Sequence, residues 1–310
     1  MNCYIAKKVA LLVPLLFGIT FITFALTNAL PGDPVYNLVG ERSTPEIISK
    51  VRKEIGADKG IARRYVGYVS LLLTGEMGRS YFTNRRVLDD IVAKFPNTLM
   101  LALGAMVIAV PPGMLLGLIA ALKKGRFADR VISAFSISLL SVPVFWSGLL
   151  LMLLFGLVLK LLPPSGTGGL RYMLLPAITL SLPALGTIAR VTRVSVLDVV
   201  DMPFIRTARA KGIASSRIKA VHILKNALIP VVTVIGLDFA SYLNGAVLTE
   251  TIFGWDGIGR FTMEGIIKRD YPVIMGCIIV GTTLFVLSNL VVDILYYYID
   301  PRVRIRGTDR

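Results

Sequence analysis

Apolar runs alternate along this chain with short polar stretches, and that alternation predicts its architecture. Lys7 and Lys8 precede a run from Val9 to about Leu30; further runs cover residues 97–122, 131–161, 172–192, 229–250 and 272–299. A helix needs about 20 apolar residues to cross the hydrocarbon core, and only helices or closed barrels satisfy their backbone there. Six transmembrane helices are therefore predicted, in an all-α polytopic membrane protein surrounded by lipid bilayer. The first run is too long for a signal peptide and lacks a clean small-residue cleavage site, so it reads as an uncleaved span. Pro111 and Pro112 fall inside the second run, where each removes a backbone donor and a kink is expected. Pro143 lies inside the third, and Pro176 and Pro183 inside the fourth.

Two polar segments interrupt the pattern. Residues 31–95 are mixed in charge. The Thr44-Pro45-Glu46 start and the spacing of Tyr65, Tyr68, Val69 and Leu72 predict short amphipathic helices in a small extracytoplasmic domain. The second segment, Phe204 to Pro230, carries Arg206, Arg209, Lys211, Arg217, Lys219 and Lys225 and no acid. Asp201 with Pro203 marks a helix start, Gly212 can end that helix, and Ser215 or Ser216 can cap a second. Two short helices joined by a glycine bend are predicted outside the bilayer. A solvated basic loop would merely orient the protein; the ordered helix–Gly–helix pattern favours a docking surface.

Charge then orients the chain. It is 55% hydrophobic, with a formal net charge of +15 and a mean hydropathy of +0.71. In a soluble protein that charge would point to nucleic acid; here it follows the positive-inside rule, and no nucleic-acid partner is expected. Short segments assigned to the inside hold 18 Lys and Arg, against 5 in short outside loops. The 31–95 segment holds the remaining 11, but a segment that long translocates largely regardless of charge. Both termini are thus predicted on the cytoplasmic side.

Candidate chemistry is sparse. Cys3, Cys277 and the single histidine, His222, provide no disulfide or metal framework. No G-x-x-x-x-G-K-[ST] occurs, so no P-loop ATP site is expected, and no cofactor is expected on this chain. One histidine cannot make H-E-x-x-H, and neither Gly236-Leu237-Asp238 nor Ser147-Gly148 matches an intramembrane protease motif. Three acids lie in or at the ends of apolar runs: Asp238, Glu250 and Asp293. A charge there costs at least ~2.5–3.5 kcal/mol, so each must face protein or water, or be paired. Asp238 and Glu250 read either as contacts in a translocation path or as scaffold. Asp293, near Tyr296, Tyr297 and Tyr298, reads as structural beside an interfacial aromatic belt.

The basic segment also carries a resemblance. Its spacing resembles the cytoplasmic coupling loop of ABC-importer permeases, Glu-Ala-Ala, three residues, Gly, then Ile-x-Leu-Pro. Here Arg206, Thr207 and Ala208 occupy the first three positions, Gly212 the glycine, and Ala227-Leu228-Ile229-Pro230 the ending. The wording RTARAKG followed by LKNALIP is similar to the peptide/nickel branch of that family. So are Pro31-Gly32-Asp33-Pro34, Gly75-Glu76-Met77-Gly78-Arg79-Ser80, Arg269-Asp270-Tyr271-Pro272, Asn289 to Asp293 and Asp300-Pro301-Arg302. Glu250 to Gly259 resembles the family's Glu-x-x-Phe-x-x-Pro-Gly-x-Gly loop, with Asp256 at its proline.

This resemblance implies a type I ABC importer permease fold in a bacterial inner membrane. It divides the chain into a first span (1–30), an extracytoplasmic domain (31–95), a five-span core (96–300) with a coupling loop at 193–228, and a cytoplasmic tail (301–310). It implies a second, homologous permease subunit, two cytoplasmic ATP-binding subunits that handle ATP and Mg, and an extracytoplasmic substrate-binding protein, for which the 31–95 domain is a scaffold or a docking surface. Coupling to the ATPases is expected through Arg206, Thr207, Ala208, Arg209, Lys211, Gly212 and Pro230, and an outer gate through Phe253, Gly257 and Gly259. The implied cargo is di- or oligopeptides, with nickel chelates or glutathione as alternatives. Readings from other classes are a secondary transporter or channel that uses its buried acids, and an intramembrane enzyme.

Overall fold

The computed structural model describes residues 2–29, 34–39 and 43–299, and its regular elements are helices. Pro31-Gly32-Asp33, the 301–310 tail and the side chains of Cys3, Lys7, Lys8 and Tyr296–Tyr298 lie outside what is described. Helix α1 (Asn2–Ala29) is the first span. Short helices α2 (Pro34–Val39), α3 (Pro45–Glu54) and α4 (Ile61–Leu73) follow, then α5 (Val87–Leu122), α6 (Phe127–Ser141) and α7 (Val144–Leu151). Helix α7 continues as a π-helical stretch, Met152–Val158. Helix α8 (Leu170–Val200) leads to α9 (Pro203–Ala210), α10 (Ser215–Arg217), a second π-helical stretch (Ile218–Leu224) and α11 (Lys225–Leu243). Helices α12 (Val247–Ile252), α13 (Ile258–Lys268) and α14 (Tyr271–Ile299) complete the described chain.

Five of these helical stretches are long and apolar enough to cross a membrane, and six if α6 and the run from α7 to Val158 count as one bent span. Within the predicted third span that pair is bent by 97°. The cause is local. Val142, ahead of Pro143, takes φ −82°, ψ 124°, because the proline ring disfavours helical backbone in the residue before it. Helix α5 begins ten residues before the predicted edge of its span, at Val87, and passes unbroken through Pro111 and Pro112. The fifth span starts at Ser215 and ends at Leu243, not at 229 and 250.

The chain divides into two compact units. The first comprises Met1–Thr98, Asn244–Thr251 and Asp256–Val286. Its core joins Val87, Ile91, Ile258, Val273 and Cys277, with Met77, Phe95, Phe261 and Val280 packed around them. A buried carboxylate, Asp270, holds the preceding turn: Ser80 Oγ donates to it at 2.5 Å and the Tyr81 N–H at 3.2 Å. Burial pushes the Asp270 carboxyl above its ordinary range, against the pull of these hydrogen bonds.

The second unit comprises Leu99–Leu243, Ile252–Trp255 and Leu287–Arg310. Helix α8 is its hub. Met106 and Ala109 of α5, Ala184 and Ile188 of α8 and Val231 of α11 form one core. Small residues allow the close approaches: a Cβ on Gly117 would collide with the Ala189 carbonyl, and one on Gly186 would sit 2.7 Å from the Ser136 carbonyl. Membrane helices associate through such van der Waals fit, since lipid supplies no hydrophobic drive between them.

Candidate functional site

The basic segment is built on one apolar patch. Ile205 and Ala208 of α9 are buried with Val196 and Val199 from the end of α8, Ala121 of α5, Ile218, Ile223 and Ala227. The three-residue spacing of Ile205 and Ala208 puts both on one face of α9. The other side shows Arg206, Thr207, Arg209 and Lys211, all exposed. With Ile205 and Ala208 buried and Arg206, Arg209 and Lys211 exposed, this stretch is one anchored ridge with a cationic outer face.

Gly212 turns the chain. It has φ +72°, where a side chain is strained, although nothing lies within 4 Å of where a Cβ would stand. Its N–H donates to the Arg209 carbonyl at 3.0 Å and the Ile213 N–H to the Ala208 carbonyl at 3.3 Å. This is the 6→1 and 5→2 pairing of a Schellman cap, and Ile213 packs onto the same apolar cluster. Two expected caps differ. Met202, not Asp201, is the N-cap of α9, with Pro203 following; Asp201 instead closes α8. Ala214, not a serine, precedes α10. Pro203 already presets the first helical φ, so α9 starts without a side-chain cap. Pro230 is exposed within α11 rather than at its start, because the helix that leaves the bend runs straight into the fifth span.

The loop after the fifth span is held by Glu250, which is fully buried in the first unit. Thr98 Oγ1 donates to Glu250 Oε1 at 2.9 Å, and the Arg260 N–H donates to Oε2 at 2.9 Å. Thr98 Oγ1 also accepts the Ile258 N–H at 2.9 Å. These N–H groups are the orphan donors at the start of α13, and a carboxylate there replaces the missing cap. Burial raises the Glu250 carboxyl above its ordinary range, opposed by hydrogen bonds from Arg260, Thr98 and Gly259. Gly257 has to be glycine on space alone: a Cβ would lie 2.5 Å from both Glu250 Oε2 and Thr98 Oγ1. A Cβ on Gly259 would lie 2.8 Å from the Val247 nitrogen. Asp256, at the position of the family's proline, pairs with Lys94, so an ion pair tethers a turn that the ring would otherwise stiffen. Phe253 belongs to the second unit, where it is buried against Gly148 and its carbonyl accepts the Gly166 N–H at 2.8 Å.

The remaining acids separate. Asp238 is half-buried on α11, and its Oδ2 is enclosed without a hydrogen-bond partner. Asp293 is half-buried on α14. Among the described residues no group of three His, Cys, Asp or Glu could hold a metal. One pair went unread in the sequence: Asp129, buried at the start of α6, takes Arg193 Nε at 2.6 Å and Nη2 at 2.9 Å, with the Gly125 N–H at 2.9 Å. The only sequence signal was a lone acid inside the basic turn Lys123–Arg130. Its partner lies one turn before Val196, so the pair fixes α8 where α8 meets the apolar patch under α9.

Apolar spans, a bent third span and a basic turn between the fourth and fifth spans define a multi-span membrane permease fold. Solved structures bear this out. The chain superimposes on the permease fold in inward-facing conformations of the MetNI methionine ABC transporter with a TM-score of 0.57, covering 68% of this chain and 96% of that one at 17% identity. A second structure, an amino acid ABC transporter with histidines, gives 0.52 over 68% of this chain and 94% of that one at 16% identity. The chain belongs to the family described as binding-protein-dependent transport system inner membrane component, whose model matches residues 113–305. Residues 1–102 match the corresponding N-terminal model. It is 41% identical to the di/tripeptide transport system permease protein DppB of Pseudomonas aeruginosa, over 98% of this chain and 99% of that protein. It is 38% identical to the glutathione transport system permease protein GsiC of Escherichia coli, over 97% and 98%. The chain is thus a multi-span inner-membrane permease component of an ABC importer.

Proposed function

We propose that this chain forms part of the membrane pathway of an ATP-driven importer and passes di- or oligopeptides inward by alternating access. The observation that carries this reading is the 41% identity, over nearly all of both chains, to a relative named a di/tripeptide permease. In this reading a second homologous permease subunit completes the pathway, an extracytoplasmic binding protein delivers cargo, and two cytoplasmic ATP-binding subunits hold ATP and Mg. This chain contributes no ATPase site. Both termini are cytoplasmic, which puts the cationic face of α9 on the ATPase side.

The coupling step then rests on Arg206, Thr207, Ala208, Arg209, Lys211 and Gly212. Ala208 roots the ridge, the cations face the motor subunit, and the Gly212 cap keeps α9 at a set angle to α10. The helical run from Ser215 through Pro230 to Leu243 carries displacement directly into the fifth span. Asp238 is the path contact this reading favours, since its carboxylate oxygen is enclosed and unmatched. Phe253, Gly257 and Gly259 are the outer-gate residues in this reading, and Glu250 anchors the turn that carries the two glycines. ATP binding can shift the pathway only through contacts that differ between its two states.

The test is reconstitution of the assembled transporter in liposomes with a labelled dipeptide. Uptake that requires ATP and the binding protein is expected. Uptake driven by an ion gradient without ATPase subunits would instead assign a secondary transporter. The 38% identical relative named for glutathione favours one other cargo; glutathione uptake that excess dipeptide fails to compete would select it.

A further inference from the structure

Helix α4 carries Arg63 and Arg64, no acid, and no buried residue. At about 3.6 residues per turn, Ala62, Val66 and Leu73 fall within roughly 40° of one another around its axis. Val66 is 66% exposed and Leu73 85% exposed. Arg63, Ser70 and Thr74 occupy the adjoining arc and are exposed as well. The result is an apolar stripe beside a polar one, and no described residue of the first unit covers either.

The docking of α4 on the first span says what surrounds it. The Tyr65 ring meets Phe17 and Phe21 edge-on, with centroids 6.1 and 5.6 Å away, and tilts against Phe24 at 5.3 Å. Its hydroxyl lies 3.3 Å from Thr20 Oγ1 and donates to the Phe17 carbonyl at 3.4 Å. Arg64 donates to Asn28 Oδ1 at 2.9 Å and sits over the Phe24 ring. Every one of these partners belongs to the apolar stretch Ala10–Ala29. With a rise of about 1.5 Å per residue, Phe24 is roughly 7–8 Å inside the Ala29 end, Thr20 roughly 13–14 Å and Phe17 roughly 18 Å. Beside the contact, α1 exposes Phe17, Phe21, Ile22 and Leu26, the face a lipid-embedded helix presents. A helix seated at that depth against a span is at the level of headgroups and upper acyl chains, not in bulk water.

We propose that α4 is an interfacial helix, lying in the membrane–water boundary at the Ala29 end of the first span. Ala62, Val66 and Leu73 enter the acyl region, and Arg63 meets lipid phosphates. The Phe24 contact, roughly 7–8 Å in by the same rise, falls within the ~5–10 Å burial of amphipathic helices in that boundary, and the Tyr65 ring reaches past it to Phe21, Thr20 and Phe17, further into the acyl region. Arg64, which would be costly there, is instead satisfied by Asn28 and the Phe24 face. The inference rests on α1 spanning the bilayer and is independent of the cargo.

The test uses nitroxide labels at Val66→Cys and Leu73→Cys in the complete transporter in liposomes, with Cys3→Ser and Cys277→Ala. Ile22→Cys, exposed on α1, is the lipid reference and Ser49→Cys on α3 the comparison. Labels at 66 and 73 are expected to collide with oxygen as at 22, with loss of collisions with a water-soluble nickel chelate. Nickel collisions at 66 and 73 as frequent as in solution, with 22 still shielded, would overturn the proposal. Nickel access that disappears only when the binding protein is added would overturn it in favour of a protein partner. A lipid signature missing at 22 as well would mean that α1 is not the span on which the inference rests.

Discussion

At the residue scale, three residues carry separable jobs. Gly212 stands in open space at φ +72°, so substitution there costs conformational energy and not a clash. Left-handed backbone costs an L-residue about 1–2 kcal/mol, with asparagine the best tolerated. Gly212→Val is expected to leave insertion and assembly intact and to reduce substrate-stimulated ATP hydrolysis in the reconstituted complex, whereas Gly212→Asn retains most of it. Unchanged stimulation in the valine variant would remove the bend from the mechanism. Glu250 is an anchor by its geometry, since both oxygens are engaged by Thr98 and Arg260. Glu250→Gln turns a donor toward one of those donors and is expected to cost about 1–3 kcal/mol, read as a lower thermal midpoint in detergent. Lost uptake at an unchanged midpoint would return Glu250 to the path. Asp238 has the opposite expectation, because its Oδ2 holds no partner to lose. Asp238→Asn should alter uptake while leaving the yield of assembled complex as it was; failed assembly would make it scaffold.

At the scale of elements, hydropathy legibly marked where spans lie but not where they bend. Pro111–Pro112 and Pro143 look alike in sequence, yet α5 passes through the first pair and the chain breaks at the second. The difference is context: α5 is braced along its length by α8, through Gly104, Gly113 and Gly117, while Val142 is free to take the extended backbone a following proline favours. The glycine bend was legible because Schellman geometry is local, set by Ala208, Arg209, Gly212 and Ile213. Thr98 as partner of Glu250 was not, because 152 residues separate them. Neither was Arg193 with Asp129, which are 64 apart. That pair now predicts its own effect. Arg193→Ala leaves a buried carboxylate without its guanidinium, and losing hydrogen bonds to a charged group costs about 1.5–3 kcal/mol. The single variant should unfold at lower temperature than wild type, and Asp129→Asn combined with it should recover part of the loss. A double variant less stable than both singles would mean the two residues do not act as a pair.

For the whole molecule, function depends on which side each end of the span set faces, and only charge and chemistry bear on that. An exposed cationic ridge rooted at the ends of α5, α8 and α11 is useful to a nucleotide-driven machine only where ATP is present, in the cytoplasm. The excess of Lys and Arg falls in the same segments, so retention of positive loops during insertion and docking of a motor call for the same orientation. Ser215, exposed at the start of α10, and Ser49, exposed on α3, then lie on opposite sides of the membrane. Each can be replaced by cysteine in a background without Cys3 and Cys277, in cells stripped of their outer membrane. A membrane-impermeant maleimide should label Ser49→Cys in intact cells, and Ser215→Cys only after lysis. Labelling of Ser215→Cys from outside would place the ridge away from ATP. The coupling role of Arg206 through Gly212 would then fall, while the helical fold and family membership would stand.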